Sequence, residues 1–222
     1  MNFSRQVMAI VWKDITCELR SKEMFSAMSV FALLAAVIFN FAFELQVENV
    51  ENVAPGVLWV AIAFAGVLGL NRSLILEKDR GCLDGLMLCP VDRSAIYVGK
   101  MVGNVLFMLA MEAVAIPVFA VLFNLPLLTP WLVAIVVLGT LGFAAVGTLF
   151  AAISVNTRTR EVMLPVLLFP VIVPLIIAAV RATQSAVAGL GAGEAQWIGL
   201  LVAYAALFIV VSTLTFEYVL EE

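Results

Sequence analysis

The chain contains no histidine. That removes the commonest metal ligand and general base, and the usual axial ligand of haem iron. Charge is scarce as well: 13% of residues are Asp, Glu, Lys or Arg, with a net charge of −4. No basic cluster spans a face, which argues against a DNA- or RNA-binding domain. The three cysteines are Cys17, Cys82 and Cys89. None falls in the C-x-x-C spacing of redox or zinc sites, so they read as ordinary small residues. No G-x-x-x-x-G-K-[ST] loop occurs, so this chain cannot cradle ATP phosphates by itself. G-x-S-x-G and H-E-x-x-H are missing too, and no catalytic or metal-ligating residue is assigned.

What is present is apolar surface. Of 222 residues, 64% are hydrophobic, and the mean hydropathy is +1.13. A soluble domain of this length cannot bury that much, and disorder is excluded by the same composition. The chain reads as an integral membrane protein. A spanning helix needs about 20 mostly apolar residues. Six stretches qualify, over 24–43, 57–76, 101–123, 131–153, 162–180 and 196–216. The expected fold is an all-α integral membrane protein, one transmembrane domain over residues 1–222, with no room for a soluble domain.

Lys and Arg set the expected orientation. With six spans, eleven of the twelve fall on one side: Arg5, Lys13, Arg20, Lys22, Arg72, Lys78, Arg80, Arg93, Lys100, Arg158 and Arg160. Arg181 lies opposite, where the first loop is acidic, with Glu44, Glu48 and Glu51. Both termini are therefore expected in the cytoplasm. Residues 1–23 are too polar for a secretory signal peptide. They read as an amphipathic interfacial helix: Phe3, Val7, Val11, Ile15 and Leu19 recur every four residues, with Met8 and Trp12 beside them. Asp14 and Glu18 interrupt that stripe.

Residues 77–92 form the most polar connection between spans. Leu83, Leu86 and Met87 share one helical face, with Asp84 on another. Gly81 can end the second span, Pro90 can end the short element, and Asp92 is placed to cap the third span. A Leu/Met face bracketed by helix breakers suits docking into a soluble partner's groove; the alternative is that the face rests on lipid headgroups.

At this point the sequence resembles the CcmB family, the membrane subunit of the ABC-type complex of cytochrome c maturation. The resemblance rests on Ala54-Pro55-Gly56-Val57-Leu58-Trp59-Val60-Ala61 and on Glu77, Gly81, Leu83, Leu86, Met87, Leu88 and Pro90 in the connection. The second pattern is shared more widely among six-span ABC exporter permeases. Asp84 stands where the family leads one to expect Glu. The resemblance implies a non-catalytic subunit that partners a separate ATPase, CcmA-like, which carries ATP and Mg. It implies two copies of each, with residues 83–88 as the coupling helix. It implies CcmC-, CcmD- and CcmE-like subunits nearby, and haem as substrate of the complex with no cofactor on this chain. The alternatives are a drug or polysaccharide exporter permease and a non-transporting scaffold of an ATPase complex.

Within the spans, Glu112 is a candidate functional residue, because a carboxylate there is costly. The competing reading is a protonated side chain bonded to a neighbouring helix through Asn104, Thr140 or Thr148. Thr140, Ala144, Thr148 and Ala152, with Gly139, Gly142 and Gly147 nearby, form a small-residue stripe for close helix packing. Pro165, Pro170 and Pro174 predict a kinked or broken fifth span inside the assembly. The segment 183–194 is expected to be a re-entrant or surface element. Trp59, Trp131 and Trp197 are expected as interface anchors.

Overall fold

A computed structural model describes residues 3–44, 50–79, 81–82, 85, 91–125, 129–155, 157, 160–188 and 191–219. Seven helices make up the secondary structure of the described residues: α1 (Phe3–Ser21), α2 (Glu23–Glu44), α3 (Val50–Asp79), α4 (Arg93–Leu122), α5 (Pro130–Val155), α6 (Arg160–Ala188) and α7 (Gly191–Val219). The last six are each long and apolar enough to cross a membrane.

The bundle has a centre and a rim. The apolar windows of α3 and α5 are each 72% buried, against 22% for α2 and 17% for α7. Helix α5 packs on α3, α4, α6 and α7. Small residues permit this. Gly139 sits under the indole of Trp59, Gly142 under Leu175 and Tyr204, and Gly147 under Leu70. A side chain on those glycines would hold the helices apart. Thr140, Ala144, Thr148 and Ala152 are all buried, so the small-residue stripe is helix packing. The rim helices turn Leu34, Ile38, Phe41, Leu207, Val210 and Leu214 outward, as lipid contact requires.

Three expectations need correction. Of the kinked or broken fifth span expected from its prolines, the break does not occur: α6 is one helix through Pro165, Pro170 and Pro174. Pro170 and Pro174 are exposed and Pro165 half-buried, while Leu164, Leu168, Ile172 and Leu175 face the core. The rings therefore lie away from the packed face, and Tyr204 of α7 donates its hydroxyl to the Val171 carbonyl at 2.9 Å within the proline-rich stretch. The segment 183–194 is not a separate element within its described residues. Thr183 to Ala188 complete α6, and α7 begins at Gly191. Trp59 is not an interface anchor. It is 3% exposed, and its indole donates to Thr183 Oγ1 at 2.9 Å, tying α3 to α6. Trp131, by contrast, is exposed and Trp197 half-buried.

Candidate coupling site at the basic end of the bundle

Helix α1 lies against α4 at one end of the bundle. Tyr97 near the start of α4 packs on Phe216 near the end of α7, with ring centroids 5.2 Å apart, so α7 also finishes at this end. The side chain of Gln184 donates to the Asn52 carbonyl at 2.7 Å at the opposite end, near Arg181. The described basic residues are thus segregated as the sequence implies.

The amphipathic stripe is divided in the docked helix: Val11 is buried and Val7 and Ile15 are half-buried, while Phe3 and Leu19 are exposed. The face turned to the bundle is built on Gln6, Ile10 and Asp14, at four-residue spacing. Phe3, Met8, Trp12 and Leu19 are exposed, with Trp12 at 70%. The helix therefore has three faces: a mixed one for the bundle, an apolar one left outward, and a polar one with Arg5 and Arg20. The groove that receives it is Gly99-x-x-x-Gly103 on α4. The Ile10 side chain sits where a Cβ on Gly99 would go, and the Asp14 carboxylate lies over Gly103.

Four charges meet there. Lys100 is 2% exposed, and its Nζ reaches Asp14 at 3.0 Å and also pairs with Glu77. Lys13 of α1 pairs with Glu77 and lies 3.1 Å from Asp14. Two cations and two carboxylates thus join α1, the foot of α3 and the head of α4. Burial alone would raise the Glu77 carboxyl, but Lys100 and Lys13 outweigh it and hold it below the usual carboxylate range. Burial weighs most on Asp14 and leaves it raised, despite Lys100. Burial opposes the charge on Lys13, yet Glu77 and Asp14 keep it protonated well above the ordinary lysine range. One Glu77 oxygen, Oε2, is buried without a hydrogen-bond partner among the described residues. A cavity of about 110 Å³ adjoins the cluster, lined in part by Cys17, Arg72 and Cys82. Cys17 and Cys82 are exposed and not joined in a disulfide.

The other acid on α1, Glu18, accepts the Phe25 backbone N–H at 2.8 Å, covering a donor that the first turn of α2 leaves open. Lys22, at φ 55°, makes the sharp corner between the two helices. The two acids that interrupt the apolar stripe therefore each hold the helix in place.

Of the sequence-derived site residues, Glu77 joins this cluster. Gly81 follows α3 in the left-handed region, at φ 67°, and its N–H bonds to the Lys78 carbonyl at 3.0 Å, as a helix end requires. Asp92 occupies the cap position of α4 without a side-chain capping bond. Leu83, Asp84, Leu86, Met87, Leu88 and Pro90 lie outside the described residues. Glu112 is elsewhere, mid-span on α4 and 1% exposed; Thr140 of α5 is bonded to it at 2.7 and 2.9 Å. Asn104 and Thr148 form a separate pair at 3.0 Å between the same helices. Pro165, Pro170 and Pro174 belong to neither place. Lys13, Asp14 and Lys100 were not singled out from sequence. The usable signal was the Gly99-x-x-x-Gly103 groove around a lysine, matched by an acid on the i, i+4 row of α1.

A bundle of six apolar helices with a charged, helix-clamped end is the transmembrane part of a membrane protein whose polar work is concentrated at one surface. The chain matches the family model described as CcmB protein over residues 5–221, and it belongs to that family. It is similar to Heme exporter protein B of Paracoccus denitrificans, 29% identical over 182 residues, covering 82% of this chain and 84% of the relative. The protein of that name from Rhodobacter capsulatus is 30% identical over 172 residues, or 76% and 78% of the two chains. That from Pseudomonas aeruginosa is 26% identical over 188 residues, 84% of each.

Proposed function

We propose that this chain is the membrane subunit of a haem-export complex, and that it receives the work of ATP hydrolysis from a separate nucleotide-binding subunit. The observation that carries the reading is the family match over residues 5–221. The charge cluster supports the place where force enters. Glu77 stands near the end of α3, where the 77–92 connection starts, and Lys100 stands soon after that connection. A partner pressing on that connection moves both ends of one ion-paired unit, together with α1. The basic end is cytoplasmic in this reading, in the inner membrane of a bacterium, because Lys and Arg are retained on that side. ATP and Mg belong to the partner. The complex contains two copies of this chain, with CcmC-, CcmD- and CcmE-like subunits alongside. Haem is its substrate, either passing the dimer or leaving on a chaperone released by ATP-driven motion.

The test is Leu86→Asp. A charge placed on the apolar face of the connection buries unpaired at a docked interface and costs several kcal/mol, about 2 or more. Membrane levels stay normal, since no span is touched, whereas co-purification of the ATPase and cytochrome c maturation are lost. A variant that keeps its ATPase and full maturation would overturn the coupling assignment.

A further inference from the structure

The second buried acid opens onto a cavity that the coupling reading does not use. Glu112 lines a space of about 230 Å³ between α4 and α5, walled by Leu109, Ile116, Leu132 and Val136. Ala113, Pro117 and Val133 line it too and are exposed, so the cavity opens on the side of the bundle, within the apolar belt. No cation is among its lining residues.

Two features make this more than a packing gap. First, α4 and α5 are already bonded through Asn104 and Thr148, a neutral pair that ties helices at less desolvation cost than an acid. Second, the polar groups in the cavity are left partly unused. The one hydroxyl hydrogen of Thr140 serves two Glu112 oxygens, at 2.7 and 2.9 Å. With no cation among the lining residues the buried acid keeps its own hydrogen, and its carboxyl oxygens have acceptor capacity beyond the Thr140 bond. Pro117 has no N–H for the Ala113 carbonyl one turn earlier, so a backbone acceptor lies beside the acid. The cavity thus offers apolar walls, an acidic proton and acceptors in excess of donors.

We propose that this cavity binds a lipid-soluble primary amine, with its alkyl body along the apolar walls and its nitrogen on Glu112. The Glu112 O–H bond breaks as the third N–H bond of an ammonium forms. The ammonium then donates to the carboxylate oxygens and to the Ala113 carbonyl, and Thr140 keeps its own donation to the carboxylate. The charge pair is neutral as a whole, which is what a low-dielectric site tolerates.

The test uses the full chain in nanodiscs of zwitterionic lipid, with dodecylamine as probe and dicyclohexylcarbodiimide as coupling reagent. The carbodiimide nitrogen takes the ammonium proton as the Glu112 carboxylate adds to its carbon, and the freed amine then attacks the activated carbonyl to give an amide and the urea, read by peptide mass spectrometry. The expected result is a saturable dodecylamide at Glu112 that about tenfold excess dodecanol does not suppress, since the alcohol cannot take the proton. Val133→Phe fills the mouth and lowers coupling about tenfold while leaving the melting temperature within a few degrees. Dodecylamine raises the melting temperature of the wild type by a few degrees but not that of Glu112→Gln, which keeps a bond to Thr140. Three results would overturn the proposal: dodecanol displacing the amine, coupling undiminished in Val133→Phe, or equal stabilisation of Glu112→Gln. Each would mean that the apolar space, or the bilayer alone, accounts for the reaction.

Discussion

Glu77 and Glu112 are the same residue type, both largely removed from water, and the chain treats them differently. Glu77 lies at the end of α3, where α1 and α4 bring Lys13 and Lys100 against it. Glu112 lies mid-span, where the neighbouring helix offers a threonine hydroxyl. The difference follows from what each depth can supply. Lysine on a helix end can be inserted with its neighbours and paired there. At mid-span a cation is as costly as the acid, so the partner is a neutral group. An acid with two cations is a structural clamp whose partners are fully committed. An acid with one hydroxyl is left chemically available.

That comparison is most sharply broken by removing the central cation. Lys100→Met leaves Glu77 and Asp14 buried with only Lys13 between them, which costs about 3–5 kcal/mol. Helix α1 should then lift from α4, read as a lower melting temperature and as labelling of an Ile10→Cys thiol that the docked helix protects. Combining Lys100→Met with Glu77→Leu removes charge of both signs and should restore much of the loss. A double variant no better than the single one would mean that the cluster does not hold α1.

A smaller loss is expected from the groove. Gly99→Ala places a methyl 2.9 Å from the Cβ and Cγ2 of Ile10, atoms that cannot swing aside. Overpacking of this kind costs about 1–3 kcal/mol. With Ile10 kept, it should lower the melting temperature without changing any charge, separating steric docking from ion pairing.

Acid should weaken the clamp in turn. The Glu77 carboxyl is held below its ordinary value of 4.5, so its contribution is fully present above that pH and is lost as pH falls through the lower, folded value. Asp14, raised by burial, contributes with the opposite sign. Labelling of Ile10→Cys with an acid-tolerant reagent should therefore rise below pH 4.5 in the wild type. Glu77→Gln should remove that acid-driven rise. A rise of equal size in the variant would assign it to another group.

The smallest effect belongs to mid-span. Glu112→Gln keeps a partner for Thr140 and should change stability by less than about 1 kcal/mol, measured by thermal unfolding in nanodiscs. A loss as large as that of Lys100→Met would make Glu112 a clamp as well, and the contrast between the two acids would disappear.

The sequence by itself determined the six spans, the segregation of Lys and Arg to one end, and the family, because each depends on local hydropathy, charge counting or short motifs. Glu112 with Thr140 was within its reach as one of three named pairings, since few polar side chains are available inside the bilayer, whereas Asn104 and Thr148 pair with each other instead. Three readings went astray for a common reason. Trp59 near a span end resembles an interface anchor until Gly139 and Thr183 are brought against it. Three prolines suggest a break until their places outside the packed face of α6 are known. Along the chain, Asp14 reads only as an interruption of the amphipathic stripe from Phe3 to Leu19. Tertiary structure alone decided that Asp14 faces Lys100, 86 residues away. Periodicity reports which residues share a face of one helix; only packing says what that face meets, and an ion pair exists only when both halves are brought within a few ångströms out of water.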